Sequence, residues 1–415
     1  MQKFLEEASR PVRWHWANAI TTSFADSLID FALVLLVLKT TGSLSLMALV
    51  SIVITLPTIL FGLISAVWVD RWHPVKVVSI SQLCRAVVVL MFLVADRIET
   101  IWLVFVIAFL QSVIGTFDDP ARGKLVRAIT TDQTRLSVNS LTQTGKMLAG
   151  IAGTSLAGLI VAAESESFGI VFTLASLSFA AAGLMVSRIK LPESIVETET
   201  NDSTSSGRFL AEFKEGIAAI RTSQTHVALL IVIGAATIGA SAATVLLTPL
   251  MVNELNISPA WFGAVGASQT VGAILISLAI GMLGARVNTR VLATASLIAT
   301  GVTICLIGSA SSLIYLLIAM LLVGLAITPV SSSVSTIFQS ATEERVLGRV
   351  AAVFNTVTQP FSIVGMAGAG ILADLIGIRE VFWIAGGACI VAGILASVLL
   401  GRRSATLIES SAKED

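Results

Sequence analysis

Charge is scarce in this sequence: only 13% of its 415 residues are Asp, Glu, Lys or Arg, about half the share of an ordinary soluble domain. A soluble globule is therefore excluded. Cysteine is scarcer still, with Cys84, Cys305 and Cys389 each alone in an apolar run, without CxxC spacing or a histidine cluster. Neither a disulfide framework nor a metal site is expected. There is no P-loop: Gly123-Lys124 has Asp118 at the leading glycine position and Leu125 at the hydroxyl position. HExxH and GxSxG are absent too, so no enzyme is expected and no cofactor is implied. Aromatic residues are 6% of the chain, which argues against a sugar site built on stacking rings.

Long apolar runs are what the sequence does have. Mean hydropathy is +0.91 and 55% of residues are hydrophobic. A spanning helix needs about 20 apolar residues, whereas an outer-membrane barrel shows short alternating segments. The runs predict an all-α membrane protein with spans near 16–38, 45–69, 76–95, 100–118, 139–163, 167–187, 226–252, 258–284, 290–309, 312–338, 347–375 and 379–400. The first run is too long for a signal-peptide core and lacks a small-residue cleavage site, so it reads as a retained helix.

Basic residues collect on the cytoplasmic side of membrane proteins. Of the 26 lysines and arginines, only Lys39, Arg97 and Arg379 fall on the odd-numbered loops, and only Arg85 and Lys146 fall inside spans. All others lie on the even-numbered loops and the two tails. This predicts both termini in the cytoplasm, and hence an even number of spans.

The chain divides into residues 1–190 and 226–401, two bundles of six helices, with a linker over 191–225 and a tail over 402–415. The linker begins polar, then sets Phe209, Leu210, Phe213, Ile217 and Ile220 on one face at helical spacing, predicting an amphipathic surface helix. The halves repeat: Gly115 to Pro120 in span four matches Gly324 to Pro329 in span ten at an offset of 209, each followed by a polar loop. Such a repeat fits a duplicated transporter.

Between spans two and three runs Ala66-Val-Trp-Val-Asp70-Arg71-Trp-His-Pro-Val-Lys76. This resembles the loop motif of the major facilitator superfamily, in which a small residue is followed four positions later by Asp-Arg. The second-half copy has Ala285 at the acid position. The resemblance implies a cytoplasmic latch between the halves, with Asp70, Arg71 and Arg349 as its candidates. Further matches are Asp26 in span one, Thr41-Gly42-Ser43 after it, Arg85 in span three with Gln82 replacing the usual acid, Pro120-Ala121, Leu136 with Asn139, Glu215-Gly216 with Arg221, and Glu344 with Gly348-Arg349-Val350. In this order they resemble the drug and siderophore exporters that include the macrolide efflux and enterobactin exporter families. The antiporter-type motif of span five is partial: Gly150, Gly153 and Gly158 are present, Thr154 stands at the proline, and the glycines read as packing positions.

Charges inside spans cost about 2.5–3.5 kcal/mol each at a helix centre and must be offset. Asp26 lies near mid-membrane and Asp30 one turn later on the same face. Two carboxylates so close in a low dielectric resist ionising together, so one is expected to carry a proton. Arg85 is the available counter-charge. A structural pair, a proton-exchange site and a cation-recognition site are all compatible with these residues. Lys146 is expected to snorkel to the surface, and Asp118 and Asp119 to cap a helix or pair with Arg122 and Lys124. Gln111, Ser112, Ser241, Asn355, Thr358 and Gln359 are candidate cavity residues in a mostly apolar pocket suited to an amphipathic solute.

These features together imply a secondary active exporter of a small amphipathic molecule in the cytoplasmic membrane, working by alternating access with proton antiport. Its partners would be a small-molecule solute, protons and the bilayer, with no nucleic acid, acting as a monomer. A lipid or lysolipid flippase and a non-transporting membrane scaffold are the competing readings.

Overall fold

The computed structural model of the chain describes residues 9–69, 71–98, 100–163, 168–191, 224–283, 288–342 and 347–411. All regular structure among these is helical. The helices are α1 (Arg10–Thr41), α2 (Leu44–Val69), α3 (Pro74–Ile98), α4 (Ile101–Gly115), α5 (Asp118–Ile129), α6 (Asp132–Ala163), α7 (Gly169–Ser187), α8 (Gln224–Pro249), α9 (Phe262–Leu283), α10 (Thr289–Gly308), α11 (Leu313–Ala341), α12 (Leu347–Ile376) and α13 (Ile378–Ser411). Among the described residues, twelve segments are long and apolar enough to cross a membrane, α4 and α5 together forming the fourth. The outward faces fit that solvent. On α3, Ile80, Val87 and Val94 recur every seven residues and are each more than half exposed, a stripe that suits hydrocarbon and not water.

The predicted spans and the helices differ where polar sequence stays helical. Residues 119–138, read from sequence as mostly loop, form α5 and the first turns of α6, joined only through Thr130 and Thr131. Pro120 stands in the first turn of α5, where its missing N–H costs nothing. Asp118 and Asp119 complement the same helix start. The Thr41-Gly42-Ser43 signature is a helix-to-helix corner. Gly42 takes φ 65°, which favours glycine, and donates to the Leu38 carbonyl at 2.9 Å, while the Ser43 hydroxyl accepts from the Leu46 N–H at 3.3 Å.

Contacts group the chain into two compact units, Met1–Ser203 with Ser258–Ala264, and Thr204–Ile257 with Val265–Asp415. In the first, α1 packs on α6 and α7, and α3 on α7. In the second, α8 packs on α12 and α10 on α13. The first-to-fifth and third-to-sixth pairings therefore recur in both halves, as a duplicated six-helix bundle requires. The glycines of span five serve the α1–α6 contact: a Cβ added at Gly153 would lie 2.6 Å from the Phe24 carbonyl oxygen, and one at Gly150 would lie 3.3 Å from the Ser27 hydroxyl. Of the linker and surface helix predicted over 191–225, residues 192–223 lie outside the described residues, as do Ala285 and Glu344.

Candidate functional site

Four charged side chains meet inside the first unit. Arg85 of α3 forms an ion pair with Asp26 of α1 and reaches Asp118, at the start of α5, at 3.7 Å. Asp118 also faces Arg122, one turn along α5, at 3.8 Å. Two carboxylates and two guanidiniums make the cluster formally neutral. That offsets the cost of holding charge at membrane depth.

Polar and aromatic neighbours complete the shell. Ser81 and Gln82 both donate to the Asp118 carboxylate. Arg122 donates to the Asn18 side-chain oxygen and, at 2.8 Å, to the Thr22 hydroxyl, while the Asn18 amide donates to the Ala182 carbonyl of α7 at 2.8 Å. The Arg85 guanidinium lies 4.2 Å from the ring centre of Phe179, within cation–π range. Gly115, the last residue of α4, lies beside the guanidinium: a Cβ there would meet Arg85 Cζ at 3.5 Å, an ordinary contact distance.

Exposure divides the cluster. The side chain of Asp26 is 39% exposed, against 10% for Arg85, 12% for Arg122 and 6% for Asp118. Asp26 is thus the more exposed end of the cluster, and Asp118 the enclosed one.

The other expected site residues fall in several places. Asp30 is exposed on α1 one turn beyond Asp26 and makes no ion pair among the described residues. Gln111 is buried on α4 with neither its amide nitrogen nor its oxygen hydrogen-bonded among the described residues. Ser112 instead donates to the Ile54 carbonyl and ties α4 to α2. Gln359 is exposed on α12; Asn355 is on the same helix, its side chain outside the described residues. Of the latch candidates, Arg71 is exposed, Asp70 lies outside the described residues, and so does the side chain of Arg349. Lys146 lines a cleft with Arg122 rather than standing alone. Sequence reasoning missed the roles of Asn18, Thr22, Ser81 and Phe179. The i, i+4 polar pair Asn18/Thr22 within an apolar run was the available signal.

A sequence model of the Major Facilitator Superfamily matches residues 16–237 and 229–415. The chain belongs to this superfamily. It is a multi-pass membrane transporter. Macrolide efflux protein A of Streptococcus pyogenes is 21% identical over 376 residues, covering 89% of this chain and 91% of that protein. The MFS-type transporter YvqJ of Bacillus subtilis is 22% identical over 316 residues, 76% and 74% of the two chains. Among solved structures, a bacterial homologue of the human lysosomal transporter Spinster aligns with a TM-score of 0.73 at 11% identity, over 94% of this chain and 98% of that one. A bacterial homologue of the iron transporter ferroportin gives 0.72 at 15% identity, over 95% and 98%. These similarities to solved structures establish the superfamily fold.

Proposed function

We propose that the chain is a secondary active exporter of a small amphipathic molecule, working by alternating access, with a proton carried in the opposite direction. The observation that carries this reading is the asymmetric ion pair: Asp26 is part-exposed while its partner Arg85 is enclosed. A proton taken up by Asp26 cancels the charge facing Arg85 and leaves the guanidinium to Asp118. A solute cation near Asp26 would compete for the same carboxylate. One group then answers to both proton and solute, and a carrier is driven only by such differential binding to its two states.

In this reading Asp30, Gln111, Asn355 and Gln359 belong to the solute cavity, and the unpartnered Gln111 amide supports a polar anchor there. Asp70, Arg71 and Arg349 serve as the latch that holds one state closed. The charge distribution supports cytoplasmic termini in an inner membrane. The relatives named for macrolide efflux make a macrolide the first solute to test.

The deciding experiment reconstitutes the purified protein in proteoliposomes, imposes a pH gradient and follows a radiolabelled macrolide together with internal pH. Solute movement with proton counterflow, both lost in Asp26→Asn, is the expected result. Movement of labelled lysophospholipid in place of the macrolide would replace the solute class. Absence of any solute or proton flux, with Asp26→Asn altering only stability, would overturn the reading.

A further inference from the structure

Asp26, Arg85, Asp118 and Arg122 balance one another in charge, and one carboxylate of the same unit is left over. Asp30 stands one turn beyond Asp26, about 7 Å past the middle of α1 at about 1.5 Å per residue. It is exposed and makes no ion pair among the described residues. The charged groups that act on it are Asp26, of like sign, and Arg85, which is already shared between Asp26 and Asp118. Lys146 lines a cleft with His15, about 22 Å back along α1. Three carboxylates thus stand against two guanidiniums, and an ionised carboxylate at membrane depth calls for a compensating charge.

The open face of α1 is narrow and leads to this residue. Between Ala25 and Leu38, all positions are buried except Asp26, Ser27, Asp30 and Val34, which share one face. That face is polar as far as Asp30, unlike the apolar outward stripe of Ile80, Val87 and Val94 on α3. It therefore suits an aqueous path better than hydrocarbon.

A second observation comes from α4. Gln111 is 5% exposed, and neither its amide nitrogen nor its oxygen is hydrogen-bonded among the described residues. Leaving such buried groups unpaired is costly. Gln111 stands one turn before Gly115 on the same face of α4, and Gly115 lies against the Arg85 guanidinium. The first and fourth spans run in opposite directions. One turn back from Gly115 and one turn on from Asp26 therefore lead to the same depth, so Gln111 and Asp30 occupy one layer next to that of Arg85.

We propose that Asp30 and Gln111 read a protonated amine on the solute, which makes the exported molecule an amphipathic organic monocation. This rests on the exporter reading above and adds the charge of its solute. An ammonium group brings one positive charge for the carboxylate and further N–H donors for the Gln111 oxygen. Val34, one turn beyond Asp30, continues the same face as apolar surface for the solute's body. A hard metal cation is a poorer match, since it needs about six oxygen ligands. Among the described residues no group of three or more histidine, cysteine or carboxylate side chains could hold one.

The test measures equilibrium binding of labelled phenylhexylamine to the purified full-length protein in neutral detergent. Phenylhexyltrimethylammonium keeps the charge without N–H donors, and phenylhexanol is the uncharged control. The amine should bind more tightly than the quaternary ion, and both more tightly than the alcohol. Asp30→Asn should weaken both cations by about tenfold or more and leave the alcohol unchanged, while Asp30→Glu retains them. Gln111→Leu should weaken the amine by about fivefold and spare the quaternary ion. A monodisperse elution profile checks that each variant is folded. Binding needs no pH gradient, so Asp30-dependent binding without export would sink the exporter reading alone. Equal binding of amine and alcohol, or an affinity for the amine unchanged in Asp30→Asn or in Gln111→Leu, would overturn the proposal. Loss of proton counterflow in Asp30→Asn with the amine's affinity intact would do so too, by giving Asp30 the proton instead.

Discussion

The side-chain amide of Gln82 donates to the buried carboxylate of Asp118, on a different helix. This contact gives a physical reason for the glutamine that stands where the resembling exporters carry an acid. With Asp118 already placed between Arg85 and Arg122, a second carboxylate at position 82 would bring two like charges together in a low dielectric. With a neutral amide at Gln82, the site holds two carboxylates, Asp26 and Asp118, against two guanidiniums.

Gln82→Glu is therefore expected to destabilise the folded protein more than Gln82→Leu does. Leucine loses one hydrogen bond and leaves Asp118 to Ser81 and the two arginines, whereas glutamate adds repulsion. The loss should be on the order of 1.5–3 kcal/mol, the scale of a hydrogen bond to a charged group. Unfolding midpoints of the two variants in the same detergent check it, and equal midpoints would remove the like-charge argument.

The two acids of the cluster should also separate by experiment. Asp118 is 6% exposed and holds two guanidiniums, so Asp118→Ala leaves buried positive charge uncompensated and should cost about 3–5 kcal/mol. Asp26 is 39% exposed and Arg85 retains Asp118 when it is removed, so Asp26→Ala should cost about 1 kcal/mol or less. Thermal unfolding followed by size exclusion measures both. A larger loss at Asp26 would mean that its pair with Arg85 is chiefly structural.

Much of this was legible before the structure. An apolar run of membrane length has one regular solution, because backbone groups in hydrocarbon must bond within their own segment, so the twelve spans follow from composition. Asp26 and Arg85 stood out because charge inside a span demands a partner. The extent of α5 and the start of α6 did not stand out, since polar residues beyond the bilayer are solvated whether helical or not, and hydropathy is silent there. Asp118 was expected to pair with Arg122, and does. Its second pairing with Arg85 depends on how α3 lies against α5, which no local pattern encodes.

The second unit offers a test of helix approach that is free of charge. A Cβ at Gly324 of α11 would overlap the carbonyl oxygen of Gln269 and come 2.8 Å from the Ala273 nitrogen, and one at Gly272 of α9 would overlap the Leu321 carbonyl. These glycines let the two backbones touch, as small residues do between membrane helices. Gly324→Ala and Gly272→Ala should each destabilise by about 1–3 kcal/mol through overpacking, despite the helix-propensity gain of about 1 kcal/mol. Gly266→Ala, where an added Cβ meets nothing within 4 Å, keeps that gain and should be neutral or stabilising.

Gly115 occupies the repeat position equivalent to Gly324, yet it makes room for a charge instead of a backbone. Its missing Cβ leaves space beside Arg85 Cζ, at 3.5 Å an ordinary contact distance. Gly115→Ala should therefore fit, changing stability by about 0.5 kcal/mol or less. Gly115→Val adds three carbons, two of them beyond that Cβ, and these crowd the guanidinium that is its nearest neighbour and press it away from Phe179 and Asp118. The cost expected for such overpacking is about 1–3 kcal/mol, and proton-driven solute flux should fall with it if Arg85 has to face Asp26 for coupling. Comparing flux at equal amounts of folded protein isolates that second effect. A Gly115→Val protein that folds, keeps normal flux and holds Arg85 elsewhere would show that coupling does not need the pair.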